Sequence, residues 1–247
     1  MPPRSAIPRR TPWILALVIL AGCATNPVTG GRNFVLLSED QEIDLGRTND
    51  PKIRAVYGVY DDPKLQAYVQ RVGEQLGTHS HRSGLVYRFT VLDTADVNAF
   101  ALPGGYIYIT RGILAYLNSE AELAAVLGHE IGHVTARHGV RQYSAATAAN
   151  IATAIFIQNR VGQDLANVLG GALLRGYGRE HELESDRLGA EYLARTGYDP
   201  QAMLGVVGVL KNQEEFDKER AKAEGREPRK YHGVFATHPS ADKRLQE

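Results

Sequence analysis

The sequence predicts an α+β domain, mainly helical, with a small antiparallel sheet set beside one central helix. Three features carry that expectation. Residues 119–139 read as one capped helix, residues 86–110 hold strand-like segments interrupted by Pro103-Gly104-Gly105, and most of the remaining chain repeats its apolar residues at helical spacing. A chain of 247 residues, 43% hydrophobic and 23% charged, is long enough for one sizeable core and short for two. The expected division is a leader over residues 1–22, a modified N-terminus and tether over 23–37, and a single domain over 38–247.

The leader comes first. Arg4, Arg9 and Arg10 precede an apolar run over residues 13–21, too short to span a bilayer, and the run ends in Leu20-Ala21-Gly22-Cys23. A basic start, a short apolar stretch and small residues make an export signal. Leu-Ala-Gly-Cys resembles the bacterial lipobox, in which the cysteine is lipidated and becomes the mature N-terminus; Cys23 is the only cysteine in the chain. Acyl chains contribute about 0.8 kcal/mol per buried CH₂, enough to hold a domain at a membrane surface. By resemblance to lipoprotein sorting, Ala24, which is not aspartate, favours the outer membrane. Removing the leader changes a formal charge of zero into 25 basic against 28 acidic residues, which argues against a nucleic-acid partner.

Residues 26–32, rich in Pro, Gly, Thr and Asn, read as a tether. Residues 38–47 and 63–76 follow as helices, with Ile43, Leu45, Leu65, Tyr68, Val69, Val72 and Leu76 on their inward faces. Thr78-His79-Ser80-His81 reads as a polar surface turn. Residues 86–93 alternate as a strand, and residues 98–102 and 106–110 form a hairpin across Pro103-Gly104-Gly105. An edge strand just before the central helix can accept an extended peptide as an added strand, so Asn98, Ala99, Phe100 and Ala101 are the candidate substrate-binding residues. The alternative is an internal strand with no free edge.

Residues 111–118 lead into the central helix. Ser119 with Glu122 makes a capping box, and Gly139 suits the left-handed residue past the helix end. On this helix His129 and His133 lie i,i+4, about 40° apart around the axis, so both imidazoles can grip one ion. Glu130 sits beside them, within reach of a water on that ion and poorly placed to be a ligand. Gly128 and Gly132 each cost about 1 kcal/mol relative to Ala, which makes sense where another backbone or a substrate passes close. His138 lies about 180° from His129 and reads as a last-turn histidine facing the helix dipole, not as a ligand.

Residues 143–176 carry little charge and many small polar residues, and read as helices covering the cleft rather than a membrane span. Residues 179–196 form a helix ending at Gly197. There Glu182 and Asp186 share one face, a carboxylate ligand one turn from a carboxylate that can accept the other N–H of a metal-bound imidazole. Glu180 and Glu184 lie about 200° away from Glu182, and the alternative for the whole acidic stretch is a charged, solvated helix face. Asp199-Pro200 opens a helix over 201–211, and residues 214–230, dominated by both signs of charge, read as a solvated helix or mobile segment. His238, held extended by Pro239, precedes a final short helix.

His129-Glu130-Ile131-Gly132-His133, the later Glu182 and Asp186, the Pro-Gly-Gly hairpin and Thr237-His238-Pro239 together resemble the gluzincin-type HEXXH zinc metallopeptidases of the CAAX prenyl protease and HtpX family. The periplasmic lipoprotein branch, BepA/LoiP-like, is nearest in pattern. The resemblance covers residues 40–245 and implies a zincin-like domain. It implies one Zn²⁺ per chain on His129, His133 and Glu182, with Glu130 as general base and Asp186 orienting a histidine. Ser185 stands where the family usually has alanine. The implied activity is that of a zinc endopeptidase on the periplasmic face of a bacterial membrane, acting in quality control. Its partners would be polypeptides, outer-membrane proteins and their assembly machinery among them, and the membrane itself through Cys23. His238, His232 and Arg179 stay open as oxyanion donors, and by the same resemblance His238 is also a candidate to latch the metal. The alternative function is an assembly or chaperone-like binding factor with a latent or structural zinc site.

Overall fold

The computed structural model describes residues 23–157 and 177–226. It opens with a two-stranded antiparallel hairpin, β1 (Cys23–Thr25) and β2 (Arg32–Phe34). The stretch expected as a tether is its turn, closed by Asn26, whose Oδ1 accepts the Val28 and Thr29 amides. Leu36 N donates to Ser144 Oγ, which fastens the segment to the domain.

The first long helix, α1 (Glu39–Tyr57), starts at a true capping box of Ser38 and Gln41 and runs ten residues past its expected end, through Pro51. Contacts with the sheet outweigh the lost amide. Arg54 reaches Asp50 and Thr90 Oγ1, Tyr108 Oη donates to Asp50, and Tyr57 packs on Phe100. The second, α2 (Pro63–Thr78), is capped by Asp62 with Pro at its first position. The rings of Phe89 and Tyr87 lie over its Gly73 and Gly77, where a Cβ would meet them at 2.3 and 2.6 Å. The turn after it is not plain surface: Ser80 is buried against Tyr87 Oη, and His81 Nδ1 meets Tyr192 Oη at 2.9 Å.

Strands β3 (Arg88–Leu92), β4 (Ala99–Leu102) and β5 (Tyr106–Thr110) form one sheet in the order β3-β5-β4. The β4–β5 hairpin is antiparallel as expected, but β5 inserts between its predecessors and runs parallel to β3, so the sheet is mixed rather than wholly antiparallel. The hairpin turn needs Gly104 and Gly105 at φ 81° and 88°, where a Cβ would strike the backbone of Ile43 and Val86. All five residues of the central strand β5 are buried.

A single turn, α3 (Arg111–Leu114), leads to α4 (Glu120–Thr135), the axis of the molecule. Every residue of α4 from Leu123 to Thr135 is buried, between the sheet, α2 and later helices. Its start is fastened by Tyr68 and Tyr198, both donating to Glu120. Ser119 caps it, yet Glu122 turns its carboxylate to the amide of Asn118 rather than closing a box with Ser119. Among the described residues three helices follow: α5 (His138–Ile157), α6 (Arg179–Thr196), closed by left-handed Gly197, and α7 (Ala202–Glu224). The last is one continuous helix where two segments were expected, its charged half extending from an apolar half anchored by Met203, Val206, Val207 and Leu210. Leu76, Ile109, Leu127, Ile131, Leu188, Tyr192 and Leu193 form the fully buried heart of the core. Burying each such side chain contributes about 1.5–3 kcal/mol.

Candidate metal centre

The site is made where α4 and α6 cross at backbone distance. A Cβ on Gly132 would lie 2.7 Å from Ser185 Oγ and 3.0 Å from its carbonyl, and one on Gly128 would lie 3.3 Å from Gly189. The glycine pair anticipated from the sequence therefore admits another helix. Ser185, the departure from alanine, donates from Oγ to the His129 carbonyl at 2.6 Å and adds a link between the helices.

That crossing brings His129, His133 and Glu182 together, all three buried, with one ligand atom each within 4.8 Å of the others. His129 Nε2 and His133 Nε2 are 3.0 Å apart, and they lie 3.5 and 3.4 Å from the two Glu182 carboxylate oxygens. Ligands of a tetrahedral zinc at about 2.0–2.2 Å would be spaced by roughly 3.3–3.6 Å, so the trio fits such an ion with little adjustment. Two imidazoles and a carboxylate form the borderline donor set that zinc favours. Asp186, one turn along α6, takes the other nitrogen of His129 at 2.8 Å. Glu130, the next residue on α4, is buried at 2% exposure. Its charge and that of Glu182, after burial itself, push the Tyr177 phenol upward. Tyr177 stacks on His133 with centroids 4.0 Å apart and planes at 19°.

Two expectations on this helix are overturned. Gly139 does not take the left-handed position: α4 stops at Thr135, and Arg137 adopts φ 57°. What holds a non-glycine residue there is Glu42 of α1, wholly buried, whose Oε2 accepts from Arg137 Nε at 2.9 Å while Oε1 accepts from Arg82 at 2.7 Å. As a result His138 does not face the dipole of α4; it begins α5, fully buried, with Nδ1 2.9 Å from His133 Nδ1. Glu184, on the face of α6 turned away from Glu182, places Oε2 3.0 Å from His138 Nε2. Burial holds His138 below the usual histidine range against the raising effect of Glu184, and the bond from His138 lowers Glu184. His181, stacked on His138, is pushed down to about 4 by burial first, then by His138 and Arg141. His138 and Glu184 escaped the sequence because their meeting depends on where α4 ends. Glu42, 95 residues before Arg137, decides that.

The other candidates are more scattered. Asn98 to Ala101 do lie at the edge of the sheet among the described residues, but Asn98, Ala99 and Ala101 are only 4, 2 and 4% exposed, so the strand is an edge in hydrogen bonding rather than in accessibility. Arg179 opens α6. His232, His238 and the leader lie outside the described residues, as do residues 158–176 of the expected cleft cover. Cys23 is the first described residue, in β1.

The model of peptidase family M48 matches residues 63–247. This chain belongs to peptidase family M48. It is 29% identical over 233 residues to the beta-barrel assembly-enhancing proteases of Yersinia pestis and Escherichia coli K12, covering 90% of this chain and 46% of each relative. It is 33% identical over 187 residues to the mitochondrial metalloendopeptidase OMA1 of Arabidopsis thaliana, covering 75% of this chain and 36% of that one. Metalloprotease YcaL of E. coli K12 is 27% identical over 182 residues, 71% of this chain and 65% of its own. The chain spans about half the length of the beta-barrel assembly-enhancing proteases it matches. The family is one of peptidases, and the α+β, mainly helical architecture expected from the sequence is the one observed.

Proposed function

We propose that this M48 member is a zinc endopeptidase of the bacterial cell envelope that acts on misfolded or unassembled envelope proteins. The observation that carries the chemistry is the convergence of His129, His133 and Glu182 with Glu130 buried beside them. His129 and His133 offer Nε2, Glu182 offers its carboxylate, and Asp186 fixes the His129 ring through Nδ1. When bound there, zinc supplies Lewis acidity, polarising the scissile carbonyl and bringing the pKa of water toward neutrality. Glu130 takes the proton from the attacking water and delivers it to the leaving amine. A carboxylate placed for that work beside three ligands favours an enzyme over a purely structural metal site.

The substrate strand is assigned to Asn98 through Ala101. Thr110 N donates to the Asn98 carbonyl, so by alternation the backbone groups of Ala99 and Ala101 point away from β5 and are those that a peptide would pair with once their cover moves. The names of the beta-barrel assembly-enhancing relatives support unfolded outer-membrane proteins as the substrate class. Among the described residues no helix is long and apolar enough to cross a membrane, and Cys23 as lipid anchor supplies the attachment.

The deciding experiment is proteolysis of an unfolded outer-membrane protein by the protein lacking its leader, with and without Glu130→Gln. Cleavage by the parent and none by the variant, at equal zinc content, is expected. No cleavage by either, with the substrate still bound, assigns the chain to the binding-factor reading instead. For the anchor, Cys23→Ser is expected to move the full-length protein from the membrane to the soluble fraction; a variant that still sediments with membranes removes Cys23 from the account.

A further inference from the structure

The two candidate metal-binding histidines are braced in different ways. Asp186 meets His129 Nδ1 directly. His133 Nδ1 meets another imidazole, His138, at 2.9 Å, and His138 in turn places Nε2 3.0 Å from Glu184 Oε2. Each link has room for one proton, and the ends of the line fix where the protons go. A His133 that turns a lone pair at Nε2 toward a metal carries its hydrogen on Nδ1 and donates it to His138 Nδ1. That leaves the His138 hydrogen on Nε2, where the Glu184 carboxylate accepts it. Reversing any one proton breaks another contact. Glu184 as a carboxylate and His133 as a metal ligand thus demand the same tautomer of His138.

We propose that His138, backed by Glu184, is a positioning residue that fixes the tautomer and ring orientation of His133 for metal binding, as Asp186 does for His129. The proposal rests on the reading of His129, His133 and Glu182 as the metal site. Its surroundings are built for the purpose. His138 is 0% exposed, its ring lies 4.2 Å from that of His181 at 19°, and Tyr177 covers the His133 ring. Arg141 stands 3.7 Å from the same Glu184 oxygen and favours its charged form. Partners of this kind typically contribute 10–100-fold to metal affinity.

The test uses the whole mature chain and zinc itself. Zinc affinity is measured by competition with a chromophoric chelator for the parent, His138→Phe, Glu184→Leu and Glu184→Gln, and histidine tautomers are read from long-range ¹H–¹⁵N spectra of the zinc-loaded parent. His138→Phe should bind zinc about 10–100-fold more weakly while keeping the far-UV dichroism of the metal-free fold. Glu184→Leu should lose affinity in the same direction, and Glu184→Gln should recover most of it, because its amide oxygen still accepts the His138 Nε2 hydrogen. A packing role alone would not separate Leu from Gln. The spectra should show His138 protonated at Nε2 and bare at Nδ1. Affinities within about threefold of the parent in folded variants, or a His138 protonated at Nδ1, overturn the proposal. Should His138→Phe fail to fold, the Glu184 pair and the spectra decide it. A parent that binds no zinc defeats the metal reading itself, whereas a parent that binds with unaffected variants defeats only this one.

Discussion

Glu130 and His138 stand on either side of His133 in sequence, and only one of them announces itself. Glu130 follows His129 directly, so a helix of ordinary pitch carries it beside the histidine pair whatever the rest of the chain does. Replacing it with Gln keeps the volume and removes the proton acceptor. Glu130→Gln is therefore expected to retain one zinc per chain and to lose about 10²–10⁴-fold in peptide hydrolysis, checked by metal analysis beside a turnover assay. Full activity with Gln would move the base elsewhere. Asp186 was legible for the same reason, one turn from Glu182 on a single helix. His138 and Glu184 were not, since extrapolating a helix past Thr135 sends His138 to the wrong side. The true path turns at Arg137, held by the buried Glu42–Arg137 and Glu42–Arg82 pairs. Long-range ion pairs leave no local periodicity to read.

The crossing of α4 and α6 shows a similar limit. Two glycines at i,i+4 signal a close neighbour, but only the structure identifies it as Ser185 and Gly189 of the later helix. Alanine is the better helix former by about 1 kcal/mol, so Gly132→Ala would stabilise an exposed helix. Here its methyl would press on the Ser185 hydroxyl and carbonyl, and overpacking of that kind typically costs about 1–3 kcal/mol. Gly132→Ala is thus expected to lower the unfolding free energy, and Gly132→Ala with Ser185→Ala to lose less than the single changes imply, since the hydroxyl contact is then gone. Chemical denaturation of the four proteins reads this directly; a stabilised Gly132→Ala would show that the helices separate freely. In the sheet, alternation revealed the first strand and Pro103-Gly104-Gly105 revealed the hairpin of the other two. The parallel pairing of β3 with β5 followed from neither, because strand order is set by what packs on α2 and α4.

Because α4 carries both candidate imidazoles and touches the sheet, α2, α6 and α7, the metal site and the core are not separable parts. Glu182 is fully buried and its carboxylate faces two histidines that are themselves buried, so a cation at their centre offsets charge that the fold has taken out of water. An ion that binds the folded chain and not the unfolded one stabilises it by mass action, about 2.7 kcal/mol when present at a hundred times its dissociation constant. For a domain of this size each kcal/mol moves Tm by roughly 2–4 °C, so chelation is expected to lower Tm by roughly 5–11 °C, reversed on adding zinc back. Glu182→Ala removes one of three ligands and should abolish that dependence, giving the same Tm with and without the chelator. Calorimetry of parent and variant in both conditions tests the coupling. A parent whose Tm ignores chelation while its zinc is lost would show that α4 is held in place by packing alone, with the ion a passenger on a finished core.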